Sequence, residues 1–151
     1  MPRPKNKKAN SQLEPPILIS ACLVGLKTRY DGSAALSKKV VKFLLDKPFI
    51  PVCPEQLGGL TTPRPCSEIT NGSGVDVIRG KSRANVIDEN GRDVTTNFLK
   101  GAQEVLRIAR LCGASIAILK EKSPSCGVRF IKREGKTLKG AGVTTAMMKR
   151  A

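Results

Sequence analysis

The side chains best equipped for chemistry are five cysteines, and the chain holds no histidine to work beside them. Cys126 sits in Ser-Pro-Ser-Cys-Gly (123–127), Cys22 in Ala-Cys-Leu-Val-Gly (21–25) and Cys53 in Pro-Val-Cys-Pro-Glu (51–55). Cys66 lies in Pro-Arg-Pro-Cys-Ser-Glu (63–68), and Cys112 directly precedes Gly113. An odd count forbids complete internal disulfide pairing, and no two cysteines form the Cys-x-x-Cys pair of a thioredoxin-type redox site. Structural zinc draws on ligands paired two to four residues apart, often with histidine, and neither is present. An iron–sulfur cluster accepts thiolates from separate loops without histidine, and a 4Fe–4S cluster with three protein ligands keeps one iron open. Against this stands the commonest role of a lone cysteine, a small buried apolar residue. That role suits Cys112, late on an apolar helix. Cys66 is open to a fourth-ligand role, although three loops already suffice for an open cluster. For Cys22, Cys53 and Cys126 the pattern leaves site and core both open.

The elements that must position these thiols follow from periodicity. Residues 1–14 are polar and basic and read as a flexible arm, with a single domain over 15–151. The apolar run 17–20 predicts a buried strand. Ala35, Leu36, Val40, Val41, Leu44 and Leu45 recur at helical spacing within 33–45, and the stretch Pro-Phe-Ile-Pro-Val-Cys-Pro-Glu (48–55) reads as a second strand cut off by Pro54. Residues 56–69 are expected to form an ordered loop. Residues 75–94 suggest two short strands joined by a turn at Asn90-Gly91. A helix capped by Thr95 or Asp93 carries Phe98, Leu99, Ala102, Val105, Leu106 and Ala109 as its apolar stripe and stops near Gly113. Residues 114–119 predict a third buried strand, and 142–150 a last short helix. Strand, helix, strand, helix, strand implies a single α/β domain with an open, mostly parallel, Rossmann-like sheet and flanking helices. Sites in such sheets form beyond the carboxyl ends of the strands, and Cys22, Cys53 and Cys126 all follow strand ends.

The formal net charge is +15, from 27 Lys and Arg against 12 Asp and Glu. Such an excess favours polyanions, although the scattered aromatics make no stacking platform and no nucleic-acid module is recognisable. Nucleic acid is therefore a possible but not an obligatory partner. No apolar run reaches the roughly 18–20 residues of a membrane helix. The basic N-terminus lacks the apolar stretch of a secretory signal, so the expected address is cytoplasmic.

Several stretches, in order, resemble one family: Ser-Ala-Cys-Leu-Val-Gly (20–25) with Arg-Tyr-Asp-Gly (29–32), residues 51–65, residues 94–114, residues 117–127 and residues 140–148. Together they are similar to the thiouracil desulfidase family, also known as domain of unknown function 523, and they span nearly everything after residue 16. The resemblance implies a 4Fe–4S cluster held by Cys22, Cys53 and Cys126, with the open iron taking the sulfur of a thiolated pyrimidine. It further implies catalytic roles for Glu55 and Ser123. Cys66 departs from the family pattern. The expected activity is hydrolytic, non-redox cleavage of the carbon–sulfur bond, releasing uracil and hydrogen sulfide. Glu55 would activate water, and Ser123 would hydrogen-bond the substrate or steer the proton. Competing roles are a helix cap or surface carboxylate for Glu55 and a turn-holding hydroxyl for Ser123. Asp31 reads as a turn residue. Arg64 and Lys120 are expected either to offset cluster charge, to hold an anion, or to be plain surface cations. The alternative functions are an iron–sulfur factor acting on thiolated tRNA bases and a non-catalytic basic RNA-binding domain.

Overall fold

Ile17–Ser20 forms β1, and every one of its residues is buried. The computed structural model describes residues 13–151, so most of the basic arm expected over 1–14 lies outside the described residues. β1 is the centre of a three-stranded parallel sheet, flanked by β2 (Phe49–Val52) and β5 (Ala117–Ile118). A central strand in a parallel sheet is covered on both faces, which accounts for its apolar run Ile17-Leu18-Ile19; Ser20 at its end is buried and polar. Ile17 and Ile19 pack with Leu23 and with Leu44 of α1 (Lys38–Leu44) on one face. Leu18 packs with Val52, Val105 and Ala109 on the other, beneath α4 (Thr95–Cys112). Complete burial of Leu18 contributes about 1.5–3 kcal/mol. Helices thus cover both faces of an open parallel sheet in one α/β domain, as the periodicity predicts.

Several elements differ from the sequence reading. The helix expected from residue 33 begins only at Lys38, where the Ser37 side chain accepts the Val40 N–H. The segment before it instead follows the 3-10 helix Ala21–Val24: the N–H groups of Ala35 and Ser37 donate to the carbonyls of Cys22 and Leu23, both at 2.9 Å. Leu36 and Leu45 are consequently exposed. Pro54 does more than end β2. It opens a short helix α2 (Pro54–Leu57), where its missing N–H costs nothing. The loop expected over 56–69 is therefore shortened by α2 and by β3 (Ser67–Ile69).

Residues 75–78 are not a strand but part of α3 (Gly74–Ile78), started by a capping box between Ser73 and Asp76. The second segment is β4 (Val86–Asp88), which pairs antiparallel with β3, and the turn at Asn90-Gly91 does form, with the Gly91 N–H on the Asp88 carbonyl. Residues 128–140, to which the sequence reading assigns no element, contain the hairpin of β6 (Phe130–Arg133) and β7 (Lys136–Lys139). Its two-residue turn, Glu134-Gly135, has φ of 49° and 73°, as tight hairpin turns require. The last element, α5 (Val143–Arg150), matches expectation and packs against α3 and α4. No helix among the described residues is long and apolar enough to cross a membrane.

Candidate active site

A cavity of about 290 Å³ opens at the carboxyl ends of β1, β2 and β5. Cys22, Cys53 and Cys126 all line it, together with Glu55 and Ser123. Each thiol arrives from a different strand end. Cys22 lies in the 3-10 turn that follows β1, and Cys53 is the N-cap of α2 directly after β2. Cys126 belongs to the loop after β5. Glu55 stands on the first turn of α2, whose placement is set by direct backbone contact with α4. A Cβ on Gly101 would collide with the Pro54 carbonyl, and one on Gly58 with the Asn97 carbonyl.

The loop carrying Cys126 is held from three directions. Ser123 Oγ accepts the N–H groups of Ser125 (3.2 Å) and Cys126 (3.1 Å), so this hydroxyl folds the turn while also lining the cavity. Glu121 Oε1 accepts three consecutive N–H groups, from Val128 (2.8 Å), Arg129 (3.0 Å) and Phe130 (2.9 Å), and closes the loop at its base. The first turn of α5 supplies the seat. Its free N–H groups, which no helix can satisfy internally, donate from Val143 to Pro124 and from Thr144 to Ser125, both at 2.9 Å. Gly142 donates to Gly127 at 2.8 Å, and Thr145 Oγ1 to the Cys126 carbonyl at 2.9 Å. Gly142 is required there, because a Cβ would lie 2.5 Å from the Ser125 carbonyl carbon. The Gly-Ala-Gly-Val-Thr-Thr stretch (140–145) is thus the support of the cysteine loop.

Arg64 is not a free surface cation. Its guanidinium pairs with Glu55 through Nε (2.6 Å) and Nη2 (2.5 Å), with side-chain exposures of only 5 % and 14 % for the two residues. The same guanidinium donates to the Thr28 carbonyl and Thr62 Oγ1. This forked geometry fixes Glu55 Oε2 and leaves Oε1 for the cavity side. Lys120 lines the cavity as well, with its backbone N–H on Ser20 Oγ at 2.8 Å and its ammonium on the Glu121 carbonyl.

Burial pushes the Cys126 thiol up to about 12, against the lowering effect of hydroxyls from Ser125 and Ser20. Burial also raises Cys22, with the Lys120 ammonium pulling the other way. Buried thiols bordered by a cation are a donor set that a metal centre would ionise on binding. Among the described residues, no three Cys, Asp or Glu side chains converge closely enough for a single metal ion. A four-iron cube takes one thiolate at each of several corners, so three separated cysteines around one cavity fit a cluster and not a mononuclear site. All five cysteines are free thiols.

The remaining candidates sort clearly. Cys112 ends α4, packs beside Ala109 and lies outside the cavity. Cys66 does line the cavity, but burial, added to by the nearby carboxylates of Glu68, Glu89 and Glu55, pushes its thiol up. Asp31 is a turn residue, with Oδ1 accepting the Ser33 N–H (3.0 Å) and hydroxyl (2.5 Å), and it stays outside the cavity. Two residues escaped the sequence reading. Ser125 is 2 % exposed, and its Oγ lies 3.1 Å from Ser123 Oγ and 3.5 Å from both Glu55 Oε1 and Cys126 Sγ. Ser20, equally buried at the end of β1, joins that strand to the cysteine loop through Lys120. The only sequence signal for Ser125 was its adjacency to Cys126.

Comparison with known proteins places this arrangement in a group. The chain is 45 % identical over 138 residues to the uncharacterized protein YbbK of Bacillus subtilis (strain 168), covering 89 % of this chain and 90 % of that one. Its fold superposes with a TM-score of 0.74 on the solved structure of TudS, described as a 4Fe–4S-dependent thiouracil desulfidase. That match has 36 % identity and covers 89 % of this chain and 85 % of the other. The sequence profile of the 2-thiouracil desulfurases matches residues 17–151, which takes in every element from β1 to α5 and all three strand-end cysteines. The chain belongs to the 2-thiouracil desulfurase family.

Proposed function

We propose that this protein is a 4Fe–4S-dependent thiouracil desulfidase that hydrolyses the carbon–sulfur bond of a thiolated pyrimidine, giving uracil and hydrogen sulfide. The observation that carries the reading is the meeting of three thiols from three strand ends, with Glu55 and Ser123, in one cavity. Family membership and the likeness to TudS support it. Residues 15–151 form the desulfidase domain, and its setting is the cytosol, where free thiols persist. Cys22, Cys53 and Cys126 hold the cluster. When bound, the cluster would supply Lewis acidity toward the thiocarbonyl sulfur and so polarise the carbon–sulfur bond.

The protein's own side chains supply the rest. Glu55, fixed by Arg64, is the general base for the attacking water, the role a carboxylate must take where histidine is absent. Ser123 faces the substrate, its oxygen held in place by two backbone N–H groups. Water and thiocarbonyl exchange without any change of oxidation state, so no electron donor is required. Anaerobic reconstitution, iron and sulfide counting, and turnover of 2-thiouracil test the reading. It expects about four irons per chain, uracil and sulfide in equal amounts, and loss of both in Cys22→Ala. Fewer than about three irons would sink it.

Exposed Lys122 and Lys132 at the cavity favour a second substrate class, a thiolated base carried in tRNA. Activity on thiolated tRNA with none on free 2-thiouracil would select it. A basic RNA-binding domain without catalysis would bind RNA and take up no iron.

A further inference from the structure

Tyr30 is the one aromatic residue that lines the cavity, in a chain with a single tyrosine, four phenylalanines and no tryptophan. It is 38 % exposed. Among the described residues its ring joins none of the three apolar clusters, and its hydroxyl makes no hydrogen bond. The side chain thus contributes neither core packing nor a polar link to the fold. Its backbone, by contrast, is tied on both sides. The Arg64 N–H donates to the Tyr30 carbonyl at 2.8 Å, and the Arg64 guanidinium donates to the Thr28 carbonyl at 2.9 Å. On the far side, Asp31 accepts the N–H and hydroxyl of Ser33, and the Arg29 N–H donates to the Ser33 carbonyl at 3.1 Å. The Arg29 guanidinium lies over the ring, 5.8 Å from its centroid, within cation–π range. Arg64 also grips Glu55, so one residue sets both the carboxylate and the backbone that presents the ring.

We propose that Tyr30 is a specificity-determining residue whose ring stacks on the thiolated pyrimidine, so that the site selects a planar, aromatic heterocycle. The proposal rests on the desulfidase reading above and names what the site recognises besides the sulfur. In that reading Glu55 and Ser123 act where the carbon–sulfur bond breaks. The rest of a free pyrimidine is a flat π surface with polar edges, and only Tyr30 offers the cavity a matching aromatic face. Stacking of this kind tolerates different edge groups, because every base has a π face. It therefore sets the class of ring without dictating where on the ring the sulfur sits. A ring with saturated carbons is puckered and cannot lie flat on the tyrosine, so it loses the offset-stacked contact. One ring serves one base, in contrast to the row of aromatics that tracks a polynucleotide.

The test uses the reconstituted full-length protein with Tyr30→Leu and Tyr30→Phe, each assayed for iron, acid-labile sulfide and 2-thiouracil turnover. A saturated analogue, 5,6-dihydro-2-thiouracil, keeps the sulfur and both ring nitrogens in a puckered ring, and its inhibition constant is measured beside the KM for 2-thiouracil. Tyr30→Leu is expected to raise that KM about tenfold, with iron content unchanged and kcat within about twofold of the wild type. The inhibition constant of the dihydro analogue should move by less than about twofold. Tyr30→Phe, which keeps the ring, should match the wild type throughout. A KM unchanged in Tyr30→Leu overturns the proposal, and so does an equal weakening of both compounds, which would make Tyr30 a wall of the cavity and no more. Tyr30→Phe behaving like Tyr30→Leu would place the contact in the hydroxyl and overturn stacking. Iron loss in Tyr30→Leu overturns it too, since the ring would then be a support of the site. A wild type that carries its cluster yet leaves 2-thiouracil intact overturns the desulfidase reading itself, a result distinct from failure at Tyr30 alone.

Discussion

Replacing Glu121 by alanine removes a single carboxylate oxygen that receives the N–H groups of Val128, Arg129 and Phe130. Each bond contributes about 1 kcal/mol net. The Glu121 side chain is 34 % exposed, so water replaces part of what is lost. The expected destabilisation is then about 2 kcal/mol in all. For a domain of this size that lowers Tm by about 4–8 °C, read by circular dichroism on cluster-free protein. The effect carries a pH signature. Burial raises the Glu121 pKa, but the three backbone N–H groups pull it down and prevail, leaving it below the ordinary carboxylate value. A folded-state pKa below the unfolded value of about 4.3 stabilises the fold above that value and ceases to do so as pH falls through the folded pKa. The gap between wild type and Glu121→Ala should therefore be full at neutral pH and narrow on acidification below about pH 4. Glu121→Gln, which keeps an acceptor without the charge, should recover part of it. A Tm within about 1 °C of wild type at neutral pH, or a gap indifferent to acid, would refute the idea that this carboxylate closes the cysteine loop.

Arg64→Met leaves the Glu55 carboxylate buried and unpaired, and should cost about 3 kcal/mol in urea unfolding, with thiouracil turnover falling as Glu55 loses its fixed orientation. Gly142→Ala forces a methyl against the Ser125 carbonyl; about 1–3 kcal/mol of destabilisation is expected, together with reduced iron uptake because the Cys126 loop must shift. Single alanine replacements of Cys22, Cys53 and Cys126 should each lower iron per chain after reconstitution, whereas Cys112→Ala should match the wild type.

The sheet and its long helix are legible because burial on both faces makes the first three residues of β1 apolar, and because one-sided burial stamps a 3.6-residue period on α4. Topology then carries the cysteines to one end, since parallel strands share a carboxyl edge. α3 is obscured because Val75, Val77 and Ile78 flank Asp76 like a half-buried strand, while the deciding feature is the Ser73–Asp76 capping box one residue upstream. The β6–β7 hairpin is masked by its lysines and arginine, with Ile131 its one buried residue. At the site, the Glu55–Arg64 pair joins residues nine apart through a loop whose path no pattern encodes. The seat on α5 is built from backbone N–H groups, which leave no side-chain trace. Of two serines in one turn, the sequence cannot tell which hydroxyl points inward.

The dispersal of Cys22, Cys53 and Cys126 over three strand ends has a consequence for biogenesis. Paired cysteines a few residues apart can seize a metal on an unfolded chain and make folding depend on it. Here no short stretch holds two donors, and the three meet only once β2 and β5 have docked on either side of β1. With these three thiols as the proposed ligands, maturation would run from fold to cofactor. On the proposed ligand set, the folded apo-protein would be the form that takes up the cluster, and cluster loss would leave a domain that can be refilled.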